Sequence, residues 1–87
     1  MGEGQHRVEV TDRQNISVSG VVQVMGYDEE EIILETTRGI LVLKGKNFNI
    51  SSLSLENGTL EASGFLNSLD YREEGAAKKS FLRRILK

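Results

Sequence analysis

The 87-residue chain has no cysteine, no proline and no tryptophan, and it has a single histidine. Without cysteine there is no disulfide framework and no thiolate metal site. Without proline, one common guard against edge-to-edge strand pairing is missing. Apolar runs are a few residues long, far below the roughly 18–20 that a membrane-spanning helix requires. The opening MGEGQHRVEV has neither the basic nor the apolar segment of a secretory signal. These absences lead us to expect a cytoplasmic protein. The length suits one small core, and at 38% hydrophobic and 28% charged residues the composition is that of an ordinary folded chain.

What the chain does have is glycine, nine in all. Gly20, Gly39 and Gly58 recur at a fixed interval of 19 residues, as do Gly26, Gly45 and Gly64. Each interval opens with a segment of the form G-x-[VL]-x-[VLA]-x-G, an alternation that suits a strand with one buried face. The alternation and its punctuation predict an all-β domain over residues 1–75, an antiparallel meander of about seven short strands folded as a sandwich or partly open barrel. A short β-solenoid with a 19-residue coil is the alternative. Asn57-Gly58 is a strong hairpin signal, and a two-residue loop there would pair Leu55 with Leu60 and Leu53 with Ala62. The same loop at Arg38-Gly39 would pair Leu34 with Leu43 and Thr36 with Leu41. In both registers apolar meets apolar, which favours hairpins over parallel coils. Gly20 should bend a long strand over residues 15–25, and the parity switch at Ser51-Ser52 predicts a bulge. The turn residues are thus Gly20, Gly26, Gly39, Gly45, Asn57, Gly58 and Gly64.

Charge is divided along the chain. Residues 1–77 hold thirteen Asp/Glu and six Lys/Arg, a net of −7, whereas residues 78–87 hold five cations and no acid. From Ala76 onward the order AAKKSFLRRILK places Phe81, Leu82, Ile85 and Leu86 on one side at helical spacing. Lys78, Lys79, Arg83, Arg84 and Lys87 fall largely on the other. This predicts a basic amphipathic helix over 76–87, reached through the polar hinge REEG. Three roles fit it: lying on an anionic membrane, entering a partner's groove, or covering part of its own sheet.

Catalytic chemistry finds little support. His6 has no nucleophile motif beside it and reads as a surface residue. Asp28-Glu29-Glu30-Glu31 offers carboxylates but not the spacing of a calcium loop, so it reads as a solvated turn. The glycines bracket strands instead of opening a helix, which argues against a phosphate-binding loop. An acidic sheet would repel nucleic acid. No catalytic, cofactor-binding or metal residues are therefore assigned, and neither a nucleic acid nor a small-molecule substrate is expected.

Several strings together resemble one family. ISVSGVVQVMG at 16–26, YDEEEIILETTRGILVLKG at 27–45, LSLENGTLEASG at 53–64 and the closing FLNSLDY with FLRRILK resemble the YabP/YqfC sporulation proteins of endospore-forming Firmicutes, and more closely their YabP branch. The resemblance implies a non-enzymatic protein made in the mother cell. It would act at the developing forespore envelope in spore cortex or coat assembly, peripheral at the outer forespore membrane. Such proteins are encoded near multi-pass membrane proteins of the YabQ or YqfD type, so the resemblance also implies a YabQ-like partner. The resulting expectation is a structural or adaptor component docking by residues 78–87. Alternatives are a self-assembling, homo-oligomeric β scaffold of rings or filaments and, in another class, a small metal-dependent enzyme using Asp28 to Glu31.

Overall fold

The computed structural model describes residues 5–72. They form six strands: β1 (Arg7–Thr11), β2 (Asn15–Ser19), β3 (Val21–Tyr27), β4 (Glu31–Thr36), β5 (Gly39–Ser54) and β6 (Thr59–Arg72). All pair antiparallel in one open sheet of order β1-β2-β6-β5-β4-β3. Antiparallel ladders rule out the solenoid, whose coils would stack in parallel. The helix expected over 76–87 lies outside the described residues.

The count of six instead of seven has a physical cause. Sixteen extended residues of β5 would reach about 50 Å, yet the longest dimension is 33 Å. β5 therefore bends without breaking, and so does β6. The sequence pattern reads each of them as two strands and reads β2 and β3 as one. β2 and β3 do part at Gly20, whose φ of 73° turns the chain from one layer into the other. The bulge expected near Ser51 appears as a register shift between Ile50 and Ser52.

The bends fold the sheet into two layers. The amino-terminal half of β6 and the carboxy-terminal half of β5 lie with β2 and β1, while their other halves lie with β4 and β3. Between the layers pack Ile16, Val18, Val21, Ile32, Leu34, Leu41, Leu43, Phe48, Leu60 and Ala62. Phe48 sits at the bend, and the 19-residue interval from Gly45 to Gly64 gains its meaning there. A Cβ on Gly45 would lie 1.9 Å from the Phe65 carbonyl oxygen and 2.9 Å from Phe48 Cζ, and one on Gly64 would lie 2.7 Å from Phe48 Cδ1. Both strands curl around one ring because neither glycine has a side chain. Two hairpin turns lock the bend, with Gly45 and Phe48 donating to the Glu30 and Glu29 carbonyls and Gly64 and Leu66 donating to those of Gln14 and Arg13.

Both predicted hairpins form, but each is displaced by two residues. Leu34 faces Leu41 instead of Leu43, and Leu53 faces Leu60 instead of Ala62. The connections are Thr37-Arg38 and the four residues 55–58. Positive φ at two successive central residues, expected at Asn57-Gly58, occurs instead at Asp12 and Arg13 between β1 and β2.

Candidate interaction surface

The open sheet leaves two seams, each tacked by side chains. On one side, the Tyr27 hydroxyl at the end of β3 donates to the Phe48 carbonyl and accepts from the Ile50 amide, both at 3.2 Å. It replaces a missing rung of backbone ladder. On the other side, Arg13 is aimed by its left-handed backbone. Its Nε donates to the Leu66 carbonyl at 3.0 Å and its Nη2 to Asn67 Oδ1 at 3.1 Å, and the guanidinium lies 4.8 Å from the Phe65 ring centre. Farther along, His6 bridges to β6. Its Nδ1 is 2.9 Å from the Ser19 carbonyl and its Nε2 bonds to the Tyr71 hydroxyl. A carbonyl only accepts, so Nδ1 carries the proton and, in the neutral ring, Nε2 accepts from Tyr71. His6, read from sequence as a bland surface residue, is therefore a structural clasp. Burial raises the Tyr71 pKa above its ordinary value.

The outer strands are guarded unequally. β1 carries an exposed Arg7–Glu9 ion pair at 2.6 Å. β3, VVQVMGY, carries no charge, and its two register shifts are its protection. Asp28 is used within its own turn, its Oδ1 accepting from the amides of Glu30 and Glu31, each at 2.8 Å. Glu31 lies 3.9 Å from Lys44 across the ladder. Among the described residues no three His, Cys, Asp or Glu side chains converge as a metal site would require, and no helix is long and apolar enough to cross a membrane.

A second apolar cluster lies on the face turned away from the interlayer core. Ile33, Ile40 and Val42 are 4, 1 and 6% exposed, with Met25 packed against them. They alternate with the core-facing Ile32, Leu34, Leu41 and Leu43, so β4 and β5 are apolar on both faces. The uninterrupted IIL and ILVL are the sequence signal for this, which counting alternate positions passes over. Around the cluster on the same face stand Glu31, Glu35, Lys44, Asp70 and Arg72, placed by the pairings Glu31 to Lys44, Glu35 to Ile40, Val42 to Asp70 and Ile40 to Arg72. Separately, Gln14, Asn15, Lys46, Asn47, Ser63, Gly64 and Phe65 line an open hollow near the bend.

Of the residues singled out from sequence, Gly20 stands at the interlayer corner and Gly39 just after a tight loop. Asn57 and Gly58 lie in the β5–β6 tip, and Gly26, Gly45 and Gly64 lie within strands at irregularities. Lys78, Lys79, Phe81, Leu82, Arg83, Arg84, Ile85, Leu86 and Lys87 lie outside the described residues.

Such a molecule, with an apolar interior and its distinctive features on edges and faces, is of a small all-β class whose notable chemistry is at its surface. The model of the YabP family matches residues 2–78. Over 85 residues the chain is 34% identical to "Spore protein YabP" of Bacillus subtilis (strain 168), an alignment covering 95% of this chain and 85% of that protein. The chain belongs to the YabP family, a family of sporulation proteins and not a known enzyme family. Its role is accordingly in sporulation.

Proposed function

We propose that this chain is a non-enzymatic adaptor of the spore envelope, working in the mother cell at the outer forespore membrane during cortex and coat assembly. Its cationic segment, Lys78 to Lys87, meets a membrane-associated partner, a multi-pass sporulation protein set among anionic lipids. The observation that carries this reading is the division of charge: five cations in residues 78–87 against a net of −7 in residues 1–77. Near an anionic leaflet each cation is worth about 1 kcal/mol, enough together to hold a small domain to a surface that already presents a protein partner.

The test uses the full-length chain. Flotation with vesicles containing phosphatidylglycerol, with and without the membrane partner, is compared for the native sequence and for a triple variant with Lys79→Glu, Arg83→Glu and Arg84→Glu. The native chain should float with anionic vesicles at low salt, and the variant should lose at least tenfold in binding. Equal behaviour of the two in every condition would exclude the cationic contact.

A further inference from the structure

The described cations divide into those with an acid and those without. Arg7, Lys44 and Arg72 pair with Glu9, Glu31 and Asp70, whereas Arg13, Arg38 and Lys46 have no carboxylate partner among the described residues. Two of these three stand beside one ring. Lys46 lies opposite Phe65 in the ladder of β5 and β6, and the Arg13 guanidinium is 4.8 Å from the centre of that ring. In a chain whose residues 1–77 carry a net of −7, this is a local reversal of sign, and such a reversal attracts anions.

The hollow beside the ring is lined from three segments. Gln14 and Asn15 come from the start of β2 and the turn before it, Lys46 and Asn47 from β5, and Ser63 and Phe65 from β6, with no Asp or Glu among them. Backbone contacts fix the arrangement. The Gly64 amide donates to the Gln14 carbonyl at 3.0 Å, Asn15 pairs with Ser63, and the left-handed backbone of Asn47, φ 57°, interrupts the ladder between Lys46 and Asn49. The side chains of Gln14, Asn15, Lys46, Asn47 and Ser63 bond to no described residue, unlike those of Arg13, Tyr27 and Asp28, which hold the fold together. Every one of the five can donate a hydrogen bond: one ammonium, three carboxamides and a hydroxyl.

Donors arriving from three segments suit a tetrahedral oxyanion, which accepts bonds on all sides. A carboxylate is planar and is matched best by a guanidinium fork, and that of Arg13 is already engaged with Leu66 and Asn67. Phe65, 39% exposed, gives the hollow an apolar wall that inorganic phosphate would leave bare and an organic substituent would cover. A volume of about 520 Å³ is within the range of small-molecule sites. We propose that this hollow binds a phosphoester. Lys46 is its charge partner, Gln14, Asn15, Asn47 and Ser63 donate to the phosphoryl oxygens, and Phe65 is the wall against which the organic group rests. A lipid headgroup and a soluble phosphoester share this chemistry. The site stands on its lining, and the adaptor reading bears only on which of the two sources fills it.

The test is a titration of the isotope-labelled full-length chain, read by two-dimensional NMR at the side-chain amide signals of Gln14, Asn15 and Asn47. Inorganic phosphate and glycerol phosphate should both shift these signals along a saturable curve, glycerol phosphate at lower concentration, while the amides of Gln23 and Asn57 stay in place. Lys46→Gln should weaken binding by about tenfold, the worth of one charge-assisted hydrogen bond. Arg38→Gln, which removes an unpaired cation outside the hollow, should leave binding unchanged. Lys46 is exposed, so its exchange preserves the fold, and the backbone signals of the same spectra verify this. Equal losses in the two variants, shifts that never saturate, or shifts that sodium chloride reproduces at matched ionic strength would overturn the site. No preference for glycerol phosphate would overturn the phosphoester and leave an adventitious ion only. Flotation on phosphatidylglycerol vesicles then identifies the source. If saturating glycerol phosphate at matched ionic strength releases the native chain but not the Lys46→Gln chain, a lipid headgroup fills the hollow; if it releases neither, the ligand is soluble. The triple variant Lys79→Glu, Arg83→Glu, Arg84→Glu leaves the hollow untouched, so its phosphate shifts should match the native ones whether or not it floats, which keeps a failure of the cationic contact apart from a failure of the site.

Discussion

The smallest parts that decide this structure are polar groups placed where the sheet fails to close. Tyr71 is the clearest. It lies opposite Leu41, on the core-facing side of β6, with its hydroxyl on His6 and its ring edge-on to the imidazole at 5.6 Å between centroids. Partial burial disfavours the phenolate and raises its pKa. A group whose folded pKa lies above its unfolded value, here about 10, gives stability that is fully present below the unfolded value and is lost as pH climbs through the folded one. The native chain should therefore lose stability between pH 9 and pH 11 more steeply than Tyr71→Phe, which has no proton to release. Urea unfolding midpoints at the two pH values measure this, and parallel losses in both proteins would assign the alkaline transition to other groups. Only composition, one histidine and two tyrosines, hints at this clasp in the sequence, because the partners are 65 residues apart.

At the scale of elements, faces were legible and registers were not. Period-two alternation identified Leu41, Leu43, Leu60 and Ala62 as one-sided strand residues, and all are core. Sliding a hairpin by two residues keeps every side chain on its face, so the pattern cannot separate Leu34 opposite Leu43 from Leu34 opposite Leu41. Local hydrogen bonds decide instead. Thr36 Oγ1 accepts from the Arg38 amide and donates to the Gly39 carbonyl, closing a loop at Thr37-Arg38. Ser54 Oγ accepts from the Asn57 amide and widens the second loop. The bends were hidden for a related reason. A glycine inside an alternating run looks like the end of a strand, whereas Gly45 and Gly64 are crossing points where β5 and β6 curve around Phe48. Their requirement differs from that of a turn, since at Gly45 the obstacle is backbone and no rotamer relieves it. Gly45→Ala should cost about 3 kcal/mol or more, in the range of overpacked cores. Gly58→Asn, at a φ of 71° that asparagine tolerates, should cost far less. Denaturant midpoints of the two variants give the comparison, and equal losses would mean that the bend yields more easily than the 1.9 Å approach at Gly45 implies.

For the molecule as a whole, folding one sheet over itself makes the two layers a single cooperative unit. Leu60 shows why. It belongs to the layer of β1 and β2, paired with Val18 and Leu53, yet it is buried in the same cluster as Ile32 and Leu34 of β4. Removing its side chain opens a cavity that both layers share. Leu60→Ala should cost about 2–5 kcal/mol, a large part of the 5–15 kcal/mol typical of a domain. It should lower the melting temperature by roughly 8–40 °C at about 4–8 °C per kcal/mol. The sharper expectation concerns where that loss is felt. Because β5 and β6 run through both layers, amide exchange in β2 and in β4 should accelerate by the same factor in the variant, as it does when protected amides open only in the global event. If β2 loses protection while β4 keeps it, the layers open independently and the bends at Gly45 and Gly64 are hinges between two units. Equal acceleration makes them corners of one rigid body whose layers open together or not at all.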